Sequence, residues 1–218
     1  MPIIYHEQAK EFHLFNDEVS YIIGIMENGQ MENLYYGKAL RDREDFSHFH
    51  EETMRSQMSV CVPEPGLLSM HYTRQEYPVY GTGDYKSPAL CIRQEDGSRI
   101  TNFVYKDYKI LKGKPSLAPL PATYVEDDGE GDTLEITLHD DKINTDMVLS
   151  YTIYKDYPVI TRNTRFLHKG ESSIVLEKAM SVCVEFLDMD FEMVQLSGAW
   201  ARERYVKSRR LEMGIQSI

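Results

Sequence analysis

The sequence predicts an all-β protein, a large antiparallel sandwich of two sheets, and three observations predict it. Fifteen tyrosines, eight phenylalanines and many Val, Ile and Thr residues fall in short runs punctuated by Gly, Pro, Asn and Asp, the chemistry of strands and turns. Helical periodicity is scarce, whereas alternation of apolar and polar residues recurs along the chain. No repeat of fixed period and no low-complexity linker interrupts the 218 residues, so one large domain is favoured over two modules.

Residues 12–15 and 21–26 read as strands, and Asn28-Gly29, placed before the next run at 31–36, predicts a hairpin near the start. Residues 41–58 break the pattern. They are rich in charge, carry Phe46, Phe49, Met54 and Met58, and read as an irregular or short helical excursion of the kind that often bears function. Residues 89–93 and 100–105 flank the turn Glu95-Asp96-Gly97-Ser98, and residues 134–138 follow an acidic, Gly-containing stretch. Residues 147–154 and 159–167 alternate on either side of Lys155-Asp156-Tyr157-Pro158. In residues 174–186, Ile174, Leu176, Lys178, Met180, Val182 and Val184 share a face, the period of a sheet with one wet side. Residues 214–218 alternate like a strand with no turn or cap after them, so the sequence is expected to be cut there rather than finished.

Twenty-four basic against thirty-five acidic residues give a formal charge of -11, which repels a phosphate backbone and argues against nucleic acid and anionic lipid as partners. Cys61, Cys91 and Cys183 stand at wide, irregular spacing with no Cys-x-x-Cys pair, and read as buried reduced thiols. With neither a signal-like start nor a run of about 20 apolar residues, a cytoplasmic protein is expected.

Gly81-Thr82-Gly83 lacks the third glycine and the helix of a dinucleotide site and reads as a turn. His48 and His50, beside Glu51 and Glu52, offer metal ligands, but histidines alternating on a loop are more often solvated. The remaining histidines, His6 and His13 among them, read as scattered, and neither metal nor cofactor is expected. No Ser or Cys shows a nucleophile signature, and carboxylate spacing in a sheet protein does not report separation in space. The most distinctive stretch is Leu196-Ser197-Gly198-Ala199-Trp200-Ala201-Arg202-Glu203-Arg204, which holds the single tryptophan among small residues. An exposed indole there would stack on a hexose while Arg202 and Glu203 bond its hydroxyls. Alternatively Trp200 anchors the core, the commoner use of a large aromatic.

Several blocks resemble, in order, the N-terminal part of bacterial α-galactosidases of glycoside hydrolase family 36. They are Tyr35-Tyr36-Gly37-Lys38, Glu76-Tyr77-Pro78-Val79-Tyr80-Gly81-Thr82-Gly83-Asp84-Tyr85-Lys86-Ser87-Pro88-Ala89, Lys112-Gly113-Lys114-Pro115 and Leu120-Pro121-Ala122-Thr123-Tyr124, then Leu149-Ser150-Tyr151-Thr152, Val159-Ile160-Thr161-Arg162 and the Trp200 stretch. The resemblance covers essentially the whole chain. It implies that residues 1–218 are a single N-terminal β-supersandwich domain, cut before its end, with the catalytic (β/α)₈ barrel and its two aspartates outside this sequence.

The reaction implied for the parent is hydrolysis of terminal α-galactosides such as melibiose and raffinose with retention, the isolated chain being inactive. The implied partners are the protein's own barrel, three further copies in a homotetramer, and galactosides. The excursion at 41–58 is expected to be a loop reaching a neighbouring protomer's galactose pocket, bringing Glu51, Glu52 and Arg55 to its rim. Trp200 and Arg202 are expected at the contact with the barrel or close to sugar. The sequence departs from the family in two places: His50-Glu51-Glu52-Thr53 stands where relatives often carry an aspartate, and Lys86 where an arginine is usual. Two other classes compete with this reading, a free-standing carbohydrate-binding β-sandwich and a pure oligomerisation scaffold.

Overall fold

Alternation leaves each strand with one apolar face, and two four-stranded sheets remove those faces from water by packing them together. The strands are β1 (Ile3–His6), β2 (Glu11–Phe15), β3 (Val19–Ile25), β4 (Met31–Lys38), β5 (Leu90–Gln94), β6 (Val104–Lys112), β7 (Gly131–Asp140), β8 (Thr145–Tyr154), β9 (Ile160–His168), β10 (Ile174–Ala179), β11 (Glu192–Ala199) and β12 (Arg202–Arg210), with a 3-10 turn at Ser47–Phe49. The computed structural model describes residues 2–50, 70–82, 84–119, 121–186 and 190–217. Among these, no helix is long and apolar enough to cross a membrane.

The chain divides into two compact units, Met1–Glu185 and Phe186–Ile218. In the first, β1-β2-β3-β4 form one sheet, β6-β7-β8-β9 a second, and β5 pairs with β10; in the second, β11 pairs with β12. All of these pairings are antiparallel. The architecture is the predicted antiparallel sandwich.

Between the two sheets, Phe12, Leu14, Tyr21, Ile23 and Met31 of the first meet Leu134, Ile136, Leu149, Tyr151 and Ile153 of the second in one buried cluster, which Leu90 and Ile92 of β5 extend. The Asn28-Gly29 hairpin forms as the sequence predicts. Gly29 has φ +79, which an L residue tolerates poorly, and its N–H bonds to the Met26 carbonyl at 2.8 Å.

β8 is buried on both faces. One face supplies the core, and the other carries polar residues matched across the β7 register, Asp146 to His139, Ser150 to Glu135 and Thr152 to Thr133. Each of these pairs is hydrogen-bonded, at 2.6, 3.3 and 2.8 Å. Asp146 also takes Lys169 at 2.5 Å and Lys106 at 3.1 Å. The Lys169 bond, with His139 and Lys106, outweighs burial and holds the Asp146 carboxyl well below the usual carboxylate range.

A buried ion pair lies inside the sandwich. Glu76 is 0% exposed, and its carboxylate accepts hydrogen bonds from Tyr21 of β3 at 2.7 Å, Asn33 of β4 at 2.9 Å and Tyr151 of β8 at 2.8 Å. Arg162 of β9 closes a salt bridge to it at 2.5 Å and lies over the Tyr151 ring, 5.0 Å from its centroid. Burial and then the Glu76 charge push both tyrosine hydroxyls well above their ordinary range. Burial disfavours the Arg162 charge, but Glu76 together with the Tyr151 and Tyr21 hydroxyls more than restores it.

Some expectations at the edges are corrected. The strand expected at 100–105 is Val104–Lys112, because alternation continues through charged Lys106, Asp107 and Lys109 while Tyr108 and Ile110 pack inward. The run at 174–186 is a strand only to Ala179; its register slips between Leu176 and Lys178, and Val182 and Val184 stay exposed. Residues 214–217 form no strand, since Gly214 at φ +113 breaks the run and Ile215 is fully exposed. Cys91 and Cys183 are free thiols but only partly buried, and Cys61 lies outside the described residues.

Replacing Glu76 by Gln turns an acceptor into a donor among donors and leaves Arg162 without its counter-charge. Urea unfolding is expected to show a loss of about 3–5 kcal/mol, against about 1.5–3 kcal/mol for Tyr151→Phe, which removes one hydrogen bond to a charged group. Asp146 sets a pH dependence. Its folded-state pKa is depressed, so its contribution is full above its unfolded value of about 3.9 and is lost as pH falls through the folded one. The stability gap between wild type and Asp146→Asn should be constant near neutrality and shrink below about pH 4.

Candidate functional site

Among the residues of β2 and β3 that alternate with the core-facing ones are Glu11, His13, Ser20 and Ile22. All four are buried although they point away from the sandwich core, because residues 39–50 leave β4 and cover this outer face. The covering stretch is held residue by residue. The Leu40 N–H donates to Ser20 Oγ at 2.9 Å, and Asp42 Oδ1 is shared by His6 Nε2 at 3.0 Å and His13 Nδ1 at 2.7 Å. The Phe46 N–H donates to Glu11 Oε2 at 2.8 Å, while its ring fills a small second core with Ile22 and Leu34. Phe49 stacks on Tyr35 with ring centroids 5.1 Å apart.

His50 and Arg74 secure the chain on either side of residues 51–69. His50 Nδ1 lies 2.6 Å from Glu32 Oε2. Arg74 donates to the backbone carbonyls of Asn33 at 3.1 Å, Leu34 at 3.2 Å and Phe49 at 2.8 Å. Beyond Met70 the chain runs beside β4, the Asn33 N–H bonding to the Arg74 carbonyl at 2.8 Å and the Glu76 N–H to that of Met31 at 3.0 Å. Lys86 reaches the Thr73 carbonyl at 2.7 Å and Glu185 at 2.6 Å.

The electrostatics follow from this burial. Burial pushes the Glu11 carboxyl up, only partly offset by the Phe46 N–H. The Glu32 hydrogen bond raises His50 against the opposing effect of burial. Burial lowers His13 more than Asp42 restores it, while Asp42, which burial alone would raise, is brought down by its two histidines.

The sequence-predicted residues fare differently. Glu51, Glu52 and Arg55 lie outside the described residues, as does Gly83. His48 and His50, weighed as metal ligands, part company: the His48 ring lies tilted against Phe49, centroids 4.2 Å apart, and His50 binds Glu32. His6 and His13, read as scattered, are brought together on one carboxylate oxygen. The signal for this was register, since His6, Glu11 and His13 lie on one face once β1 pairs with β2. The Glu76 network carried no local signal, its members being spread from Tyr21 to Arg162.

Trp200 and Ala201 form the tip of the hairpin between β11 and β12. Trp200 is 94% exposed, so the core-anchor reading does not hold, and Arg202 beside it is exposed as well. The tip is shaped by Gly198 and Ala201. The register slips between Ser197 and Ala199, Ala201 takes φ +59, and a Cβ on Gly198 would run into the Arg202 carbonyl and lie 2.8 Å from Glu203 Cα. Val194, Leu196 and Val206 share one face of this ribbon and are all exposed.

The family described as glycosyl hydrolase family 36 N-terminal domain matches residues 29–218. Alpha-galactosidase AgaA of Geobacillus stearothermophilus is 39% identical over 217 residues, which are 100% of this chain and 30% of that protein. The crystal structure of the alpha-galactosidase AgaB from the same organism superposes with a TM-score of 0.91 at 39% identity, over 99% of this chain and 29% of that one. A variant of AgaA in complex with raffinose gives 0.89 at 40% identity, over 95% and 29%. The chain thus spans about three-tenths of the length of these relatives.

Gly198→Ala is expected to destabilise the Trp200 hairpin by about 1–3 kcal/mol, the usual magnitude of a steric insertion. Hydrogen exchange should quicken across β11 and β12 and stay unchanged in β2 and β8.

Proposed function

Because the chain belongs to the glycosyl hydrolase family 36 N-terminal domain family, we propose that residues 1–218 are the non-catalytic N-terminal domain of an α-galactosidase. The parent hydrolyses terminal α-galactosides of the melibiose and raffinose type with retention, and a (β/α)₈ barrel outside these residues carries the two catalytic carboxylates. The observation that carries this reading is the likeness along the whole chain to alpha-galactosidases three times its length, one of them in complex with raffinose.

The domain serves assembly and the rim of the sugar pocket. Residues 41–58 reach toward a neighbouring protomer in a homotetramer, where Glu51, Glu52 and Arg55 face the galactoside. The anchoring of residues 39–50 supports this, because a segment that presents side chains to a partner gains from a fixed root. The barrel covers the ribbon of β11 and β12, with Trp200 and Arg202 at the contact. An isolated two-stranded ribbon is marginal in water, and one that exposes Val194, Leu196 and Val206 together gains from a cover. The free thiols Cys91 and Cys183 fit a reducing cytoplasm.

The full-length protein is expected to hydrolyse melibiose as a tetramer by light scattering. Changing Glu51 and Glu52 together to Ala should lower kcat/KM roughly tenfold or more, and unchanged kinetics would remove both from the pocket. Calorimetric titration of residues 1–218 alone with raffinose should show no saturable heat; saturable binding would restore the free-standing carbohydrate-binding sandwich.

A further inference from the structure

We propose that His6, His13 and Asp42 form a binding site for a zinc-like divalent transition-metal ion, with a fourth position open to water. The proposal does not depend on the α-galactosidase reading. The donor atoms of the three side chains all lie within 4.8 Å of one another. Zinc holds nitrogen and oxygen ligands at about 2.0–2.2 Å, which puts neighbouring ligands of a tetrahedral ion about 3.3 Å apart. Asp42 Oδ1 is 3.0 Å from His6 Nε2 and 2.7 Å from His13 Nδ1, so an ion is admitted when the carboxylate backs off by roughly half an ångström and the two imidazole nitrogens, no more than 4.8 Å apart, settle near the tetrahedral spacing. Two imidazoles and one carboxylate select zinc or cobalt over magnesium or calcium, which favour all-oxygen sites.

The surroundings are those of a metal ligand set. His13 is fully buried, and its far nitrogen Nε2 lies 3.0 Å from Ser20 Oγ. Metal on Nδ1 requires the proton on Nε2, and Ser20 Oγ, already accepting from the Leu40 N–H, has a second lone pair to receive it. That hydroxyl fixes the tautomer and the ring orientation, as outer partners of metal-bound histidines do. Phe15 stacks on His13 at 4.4 Å, and Phe46 meets it edge-on at 5.0 Å, which dries one side of the site. The Asp42 side chain is 31% exposed, so the other side admits water and the ion. A second carboxylate stands close by: Glu11, the cross-strand partner of His6 on the same face, is buried, with Oε1 3.8 Å from His50 Nε2 and no hydrogen-bond partner among the described residues. Two ligands come from paired strands and the third from residues 39–50, so a bound ion would clasp the covering stretch to the sheet.

The test is titration of the full chain, dialysed against a chelator, with Zn²⁺ and with Co²⁺ as a spectroscopic probe. One equivalent of Zn²⁺ should bind and raise Tm, and Co²⁺ should show the intense visible bands of a tetrahedral site. Asp42→Asn, a near-isosteric change, should weaken binding at least about tenfold and abolish the Tm shift, and Ser20→Ala, which removes no ligand, should weaken it by about 10–100-fold. Absence of Zn²⁺ binding and of the Co²⁺ bands in the wild type overturns the proposal whatever the variants do. Equal binding by wild type and Asp42→Asn overturns it too, since the ion then sits elsewhere.

Discussion

A single buried carboxylate organises the larger unit. Glu76 belongs to no strand, yet its two oxygens gather side chains from β3, β4, β8 and β9, two strands from each sheet. A bare carboxylate in the core would cost several kcal/mol; here three neutral donors and one guanidinium satisfy it. Apolar packing alone tolerates sliding of one sheet over the other, whereas these directed bonds are made in one arrangement. Glu76 also follows directly on Arg74 and Gln75, which run beside β4, so the contact that fixes the sheets also fixes the far root of the excursion.

The outer face of the first sheet shows a second use of buried polarity. His13, Ser20, Glu11 and Glu32 would be ordinary solvent-facing residues were they not covered by residues 39–50. The covering stretch is poor in apolar residues, with Phe46 as its main anchor, and it stays in place because each polar group beneath it meets a partner from above. Specificity of this kind comes from geometry more than from area.

The repeating features of the fold were legible in the sequence. The hairpin at Asn28-Gly29 and the strands β2, β3, β4, β7, β8 and β9 follow from alternation and turn chemistry, which are local and survive in one dimension. Strand ends drifted where charged residues continue an alternation, as in β6, or where alternation continues without a partner strand, as after Ala179. β12 went unread because its arginines and lysine hide any period. The site was less legible for a different reason: His6, His13 and Asp42 meet only after β1 pairs with β2 and residues 39–50 fold over them. Trp200 could be singled out but not oriented, since small neighbours permit both a core and a tip, and it was the close approach of Gly198 to the opposite strand that made it a tip.

The placement of Trp200 also determines what light can report about this molecule. The chain has one indole, and it stands 94% exposed at the tip of a two-stranded ribbon. Its emission is therefore already that of an indole in water while the sandwich is intact, and melting the sheets leaves it in much the same solvent. Intrinsic fluorescence is a poor thermometer for the core but a selective gauge of whatever comes to rest on the hairpin tip. Loss of the core would instead register through Tyr21 and Tyr151, whose rings are enclosed around Glu76.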